Sequence, residues 1–491
     1  MTPITILAYF MLIFGYIILF FGIALMVLSV FNIFKEEGYK KYKKYEPKFS
    51  LIAPAHNEEP VIERTIKRFL QIEYPMHKKE LIIINDASTD DTEGIAMKYA
   101  GRVIDMQKGT TKSIAHNYQN ITLVNRRSGG KGKSFALNDG KKFASGDILF
   151  FFDADVQITK NVLRKAAKHF SDRKVGSITG YVDVAAAPGL WNKFISFEYI
   201  VGQKILRRGF NVMGVHYIIP GGCAIFRKEL VDEIGDYHHD TLAEDTDFTW
   251  RVVTETDARI NFDPSITVIA DEPTTLEGLW DQRVRWARGN LEVTWKNRNK
   301  VGRKEYGRPA NLGYPFWISS MVLPFAFIFS ALGFLIITLF GGIALNVAYL
   351  LGFVLAVTFY VSWFAATMMN KGKYWLEGLL TPGIPVLISI TAFLFWPTGI
   401  VGLINTLSGT NAGIIIGTLL SLWIIVSIPG TYLALKLARN GRTKAADILQ
   451  LLIFGYWMFT IVTTVEAYIR EFKGSERVWI RAQRESYQQS A

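Results

Sequence analysis

With 491 residues, 50% of them hydrophobic and 14% aromatic, the chain holds more apolar side chain than one core absorbs, which excludes a small single-domain protein and a disordered one. Its formal net charge of +12 calls for anionic partners; no nucleic-acid-binding motif is present, so lipid head groups and an anionic substrate are expected and nucleic acid is not. Cys223 is the single cysteine, which rules out an intrachain disulfide and a thiolate metal cage.

In chain order, residues 1–34 contain "ITILAYFMLIFGYIILFFGIALMVLSVFNIF", longer than the roughly 18 residues a spanning helix needs and than the ~7–15-residue apolar core of a signal peptide. An N-terminal transmembrane helix is expected. Lys35, Lys40, Lys41, Lys43, Lys44 and Lys48 follow it, and by the positive-inside rule they place the next segment in the cytoplasm, against the cell membrane.

Within 48–275, short β-rich runs alternate with amphipathic stretches: "SLIAPA", "EPVIERTIKRFLQI", "LIIIN", "TDDTEGIAMKYAG", "ITLVN", "KGKSFALNDGKKFA" and "DILFFFDAD". That alternation predicts an α/β domain whose mostly parallel sheet is covered on both faces. Ligands of such sheets bind beyond the carboxyl ends of the strands. Residues 190–210 and 276–300 mix aromatic with basic side chains; they are too charged to cross lipid and predict interfacial helices. From 314 to 470 the sequence is apolar again, in segments 315–339, 343–368, 384–404, 412–437 and 447–469, which predicts a multi-span α-helical block. Five crossings would put the basic tail 471–491 outside, against its charge. Pro382, Pro385 and Pro397 mark the third segment as a broken or re-entrant one.

Four polar clusters carry the chemistry. "PAHNEE" supplies Asn57 and Glu58, and "NDASTDD" supplies Asp86; carboxylates at strand ends either cap the next helix or accept hydrogen bonds from a nucleoside. In "FFFDADV", Asp153 and Asp155 fall on one side of the chain, a pair suited to Mg²⁺ or Mn²⁺ shared with substrate phosphates. "LAEDTDFTWRV" puts Glu244, Asp245 and Asp247 in the first turn of a helix, where an acid either steadies the helix or takes a proton from a nucleophilic hydroxyl. Finally, "QRVRW" sets Gln282, Arg285 and Trp286 on one helical face, with Arg283 and Val284 turned away. That face can clamp a diphosphate and stack a sugar; the alternative is a basic membrane-surface helix with a belt tryptophan.

In their order, "PAHNEE", "NDASTDD", "GKSFALN", "DAD", "AED" and "QRVRW" resemble the motifs of membrane-integrated, inverting glycosyltransferases of family 2 over about residues 48–300. The flanks resemble those of processive synthases of poly-N-acetylglucosamine, hyaluronan, chitin and cellulose. The resemblance implies a Rossmann-like GT-A domain, a UDP-sugar donor, a growing glycan acceptor and Mg²⁺ or Mn²⁺. It implies that Glu58 and Asp86 contact the uridine, that Lys133 lies near nucleotide or phosphate, and that Asp153 and Asp155 hold nucleotide and cation. By the same resemblance Asp245 is the general base, Gln282 and Arg285 serve the diphosphate and acceptor, and Trp286 stacks beneath the acceptor's terminal sugar. "PGGCAIFR" resembles the acceptor-flanking segment, so Glu244, Gly222 and Cys223 would flank the acceptor, Cys223 as a small packing residue there. The alanine before "ED" departs from the usual threonine. The tail's "RVWIRAQR" resembles the gating segment of such synthases, which would make the tail cytoplasmic and leave one apolar segment uncrossed. The rival expectations are transfer of a single sugar to a lipid or polyprenyl phosphate, and a transporter or binding protein built on an inactive transferase fold.

Overall fold

The computed structural model describes residues 44–127, 132–216, 218–314, 345–395 and 426–475, with scattered positions within 3–39 and 317–329 and at 406. Most of the expected N-terminal helix, most of the first and fourth apolar segments and the tail beyond 475 lie outside the described residues.

Ten strands form one sheet: β1 (Phe49–Ala55), β2 (Lys79–Asp86), β3 (Ala100–Asp105), β4 (Thr110–Ser113), β5 (Tyr118–Arg126), β6 (Ile148–Phe151), β7 (Gln157–Ile158), β8 (Val175–Val184), β9 (Ala224–Arg227) and β10 (Arg259–Ala270). Their order is β4-β3-β5-β2-β1-β6-β9-β8-β10-β7. The apolar runs read from the sequence become the parallel centre, β3-β5-β2-β1-β6. The rest is more mixed than expected, because β9 enters antiparallel between β6 and β8. The chain builds outward from β1 through β2, then returns to place β6 on the opposite side of β1. Such a reversal opens a crevice at the carboxyl ends of β1 and β6.

Both faces are covered, as strand alternation requires. On one face Leu51, Ala53, Leu81 and Phe150 join Ile62, Ile66 and Phe69 of helix α1 (Glu59–Leu70). On the other, Ile52, Ile82 and Leu149 meet Ala136 and Leu137 of a helix at Lys133–Lys142 and Phe248 and Val252 of one at Glu244–Glu255. Lys79, at the start of β2, is fully buried; its ammonium closes the end of α1 by donating to the carbonyls of Phe69 (3.2 Å), Leu70 (3.5 Å) and Ile72 (2.7 Å).

The first expected interfacial helix is a continuous helical run, Leu190–Tyr199, a π-helical stretch Ile200–Leu206, and Arg207–Met213. Among the described residues no single helix is long and apolar enough to cross a membrane. Thr443–Phe454 and Tyr456–Phe472 meet that measure only together, and they are bent by 100°. The segment expected as one span at 447–469 is therefore broken, and Gly455 explains why. Its φ of 83° favours glycine, and a Cβ there would lie 2.4 Å from the carbonyl carbon of Pro382.

Candidate active site

The acidic loops after β1 and β2 are built as one unit. The Asn57 main-chain N–H donates to Ser88 Oγ (3.0 Å), that of Thr89 to Asn57 Oδ1 (2.7 Å), and that of Glu58 to Thr92 Oγ1 (2.8 Å). Asn57 and Ala87 both sit at positive φ, 56° and 54°, a strained backbone that persists only where the surroundings enforce it. Glu58 occupies the N-cap of α1 without a side-chain capping bond, so the capping alternative is not realised there. Asp86 is nearly buried and is neutralised by Arg126 at 2.5 Å, which also reaches Asp139 at 2.8 Å.

At the end of β6, Asp153 and Asp155 flank a turn pinned from α1. Thr65 donates to the Ala154 carbonyl (2.5 Å), and Arg64 donates to that of Asp155 (3.2 Å) while pairing with Asp271 (2.6 Å). Lys133, the first residue of the helix Lys133–Lys142, places its ammonium 2.5 Å from Asp153 and 3.2 Å from Glu244. Burial works against that charge, but Asp153, Glu244 and Asp245 outweigh it and hold the ammonium above its ordinary value. The Asp153 side chain remains 37% exposed and thus open to an incoming group.

Because β9 runs antiparallel to β6, with Ala224 opposite Phe151, the preceding "PGGC" turn arrives beside Asp153. From that turn the Gly221 N–H donates to Asp245 Oδ2 (2.9 Å), and the Thr246 N–H donates to Oδ1 (2.7 Å). A Cβ on Gly221 would sit 2.6 Å from Lys133 Nζ. Burial and the neighbouring Glu244 carboxylate push the Asp245 carboxyl upward, against Lys133 and the two backbone N–H groups. Gly222 packs near Val156. Cys223 is fully buried, 3.1 Å from where a Cβ of Gly180 would lie, and burial pushes its thiol up to about 12. It contributes packing, not a surface.

Asp247 does not join this group. It is buried and pairs with Lys296 (2.9 Å) and His238 (3.1 Å). His238, Asp240 and Asp247 are close enough together to hold a cation. The Lys296 ammonium already sits within 3.0 Å of each, supplying the positive charge itself.

The QRVRW segment lies in the helix Leu276–Lys296, whose Thr275 side chain accepts from the Gly278 N–H. Gly289 lets this helix press on the segment before Glu244: a Cβ there would be 2.7 Å from Ala243. Trp286 is one turn earlier on that face. Gln282 is buried and its Nε2 donates to Glu272 Oε2 (2.9 Å); Tyr199 donates to Oε1 (2.6 Å). Burial raises the Glu272 carboxyl, while Tyr199, Arg283 and Gln282 resist. Arg285 is half-buried. Arg283, expected to turn away from the face of Gln282, Arg285 and Trp286, is buried: it pairs with Glu198 (2.7 Å) and stacks 4.5 Å over the Trp286 ring. Tyr456 also donates to Glu198 (2.5 Å), and Arg288 pairs with Glu471 (2.5 Å) and donates to the Ser475 carbonyl (2.8 Å). The C-terminal helix is thereby clamped along the helix that carries Gln282, Arg285 and Trp286. Arg126, Glu272, Glu198 and Gly289 had no signal in the sequence, since their partners lie far away along the chain.

Residues 50–235 match the glycosyl transferase family 2, and residues 148–428 match the glycosyl transferase family group 2. The chain is 30% identical over 304 residues to a probable glycosyltransferase, YdaM, of Bacillus subtilis, covering 57% of this chain and 68% of that one. It is also 30% identical over 246 residues to the poly-β-1,6-N-acetyl-D-glucosamine synthase of Staphylococcus epidermidis, covering 50% of this chain but only 55% of the synthase. Among solved structures, a mannosyltransferase from Pyrobaculum calidifontis, in complex with GDP-Man and Mn²⁺, aligns with a TM-score of 0.48 at 20% identity, covering 78% of this chain and 99% of that one. The chain belongs to glycosyltransferase family 2.

Proposed function

We propose that this chain is a membrane-embedded, inverting transferase that takes a UDP-activated sugar, UDP-N-acetylglucosamine or a related hexose donor, from the cytoplasm and adds it to a growing β-linked glycan. One observation carries the reading: Asp153, Glu244 and Asp245 gather around the Lys133 ammonium at the carboxyl end of β6, and Gly289 docks the QRVRW helix beside them. The similarity to the poly-β-1,6-N-acetyl-D-glucosamine synthase supports the choice of sugar.

In this reading Glu58 and Asp86 bind the uridine, with Asp86 steadied by Arg126. Asp153 and Asp155 would hold Mg²⁺ or Mn²⁺. The fit is chemical: Asp153 and Asp155 supply the carboxylate oxygens a hard cation takes, and the Asp153 side chain is still 37% exposed. The cation, when bound, neutralises charge on the departing diphosphate. Lys133 and Arg285 add fixed positive charge for the same diphosphate. Trp286 stacks the acceptor's terminal sugar, and Gly222 and Glu244 flank it. Asp245 takes the proton from the acceptor hydroxyl as that oxygen attacks the anomeric carbon opposite the leaving UDP, so the anomer inverts. Two backbone N–H groups fix the orientation of the base, and its raised affinity for a proton suits it to take one near neutral pH.

The membrane reading rests on exposure. Val361, Phe364, Met368, Trp375 and Ile388 are each more than half exposed, large apolar side chains that need lipid or protein around them. A 100° bend at Gly455 fits a broken span or a segment that enters and returns; we adopt the second, which keeps the basic tail cytoplasmic at the plasma membrane. The test is Asp245→Asn in purified full-length protein given UDP-N-acetylglucosamine and Mg²⁺ or Mn²⁺. Transfer should vanish while UDP binds as before; equal loss of both would reject Asp245 as the base.

A further inference from the structure

We propose that Glu272 is a positioning residue for transfer: it fixes which end of the Gln282 amide faces the substrate, so that Gln282 accepts a hydrogen bond from the acceptor's terminal sugar and does not bind the diphosphate. The inference deepens the transferase reading above and rests on it.

Glu272 follows β10 and is nine-tenths buried. Its Oε1 accepts the Tyr199 O–H (2.6 Å) and its Oε2 accepts a Gln282 Nε2 hydrogen (2.9 Å). An ionised carboxylate can only accept hydrogen bonds. It therefore takes the NH2 end of the amide and turns the Gln282 carbonyl oxygen the other way. That oxygen is buried and has no hydrogen-bond partner among the described residues, a rare condition that asks for an explanation. What is missing is a donor. Phosphate oxygens at neutral pH only accept, whereas a sugar hydroxyl or an N-acetyl N–H donates. Gln282 stands one helical turn before Trp286 on the same face, so a sugar stacked on the indole brings such a donor to it. The neighbouring Arg283 is fixed by Glu198 at 2.7 Å, which holds the helix in register. The diphosphate is then left to Arg285 and Lys133.

Glu272→Gln inverts the arrangement. The new amide accepts from Tyr199 and donates to the Gln282 carbonyl, which turns the Gln282 NH2 toward the sugar. Exchanging the two groups, Glu272→Gln together with Gln282→Glu, restores it: the amide at 272 donates to the carboxylate at 282, whose second oxygen faces the substrate as an acceptor. The full-length protein in detergent is titrated with UDP and with a β-linked N-acetylglucosamine hexamer, following tryptophan fluorescence. Glu272→Gln should weaken hexamer binding at least tenfold and leave UDP binding within twofold, and the exchange should recover most of the loss. A merely structural role for Glu272 would give no recovery. Weakened UDP binding with intact hexamer binding, or an exchange no better than the worse single variant, overturns the proposal. Release of UDP from UDP-N-acetylglucosamine by the wild type, measured alongside, tests the transferase reading separately; a wild type that binds neither UDP nor the hexamer overturns both.

Discussion

Gly289→Ala separates what the QRVRW helix contributes to stability from what it contributes to rate. The added Cβ would lie 2.7 Å from both the Cβ and the N of Ala243 and 2.9 Å from the Leu242 carbonyl carbon. Carbon contacts settle near ~3.5–4.0 Å, so the helix and the segment leading into Glu244 and Asp245 must part by roughly 1 Å. Overpacking of this kind costs about 1–3 kcal/mol, and the better helix propensity of alanine returns about 1 kcal/mol. Net stability should fall by no more than roughly 2 kcal/mol by these figures. Rate should suffer far more, because a displacement of ~1 Å at a catalytic group can cost on the order of 100-fold. The assay is initial UDP release by the full-length protein, with a thermal melt of the same preparation. A variant that melts like the wild type and keeps its rate within twofold would show that this contact does not place Asp245.

Other outcomes follow from the same geometry. Asp245 must be ionised to act as a base, and burial with Glu244 raises its pKa. Activity should therefore be lost, as pH falls, earlier than for an ordinary aspartate. Glu244→Gln removes one of the raising charges and should move that acid limb to lower pH; an unmoved limb would count against the coupling. Arg126→Met leaves Asp86 and Asp139 without their shared cation, and breaking such a buried pair costs about 3–5 kcal/mol. Chemical denaturation should register that loss together with weaker UDP binding, and a loss under about 1 kcal/mol would contradict the burial argument. Burial lowers the Lys79 ammonium to about 8. The unfolded chain then binds the extra proton between that value and the ordinary 10.5, so stability should rise with pH across this window. Lys79→Met should abolish the rise, and its persistence in the variant would assign it to another group.

The strands that frame the site were legible because each is an apolar run ending abruptly in acids, as in "LIIIND" and "FFFDAD". The gathering of Lys133, Asp153 and Asp245 followed from motif order. What escaped has a physical reason. β4 is four exposed residues and β9 only "AIFR", too short to show periodicity. Arg283 and Arg285 are alike in sequence, and the Arg283 partners Glu198 and Tyr456 come from distant helices, so nothing local in the sequence marked Arg283 as structural. The glycine at 455 sits in an apolar run that hydropathy alone reads as one span, and the break is set by its conformation.

The clamp on the QRVRW helix has a practical consequence for handling the enzyme. Trp280 packs on Tyr432 and Phe459, and Arg288 pairs with Glu471 and donates to the Ser475 carbonyl. A shortened chain ending after Lys300, the natural choice for a soluble catalytic fragment, would uncover that indole and remove the Glu471 carboxylate from Arg288. Such a fragment should precipitate, or fold with the helix that carries Trp286 adrift, so assays belong on the intact polypeptide or on one that retains residues 426–475.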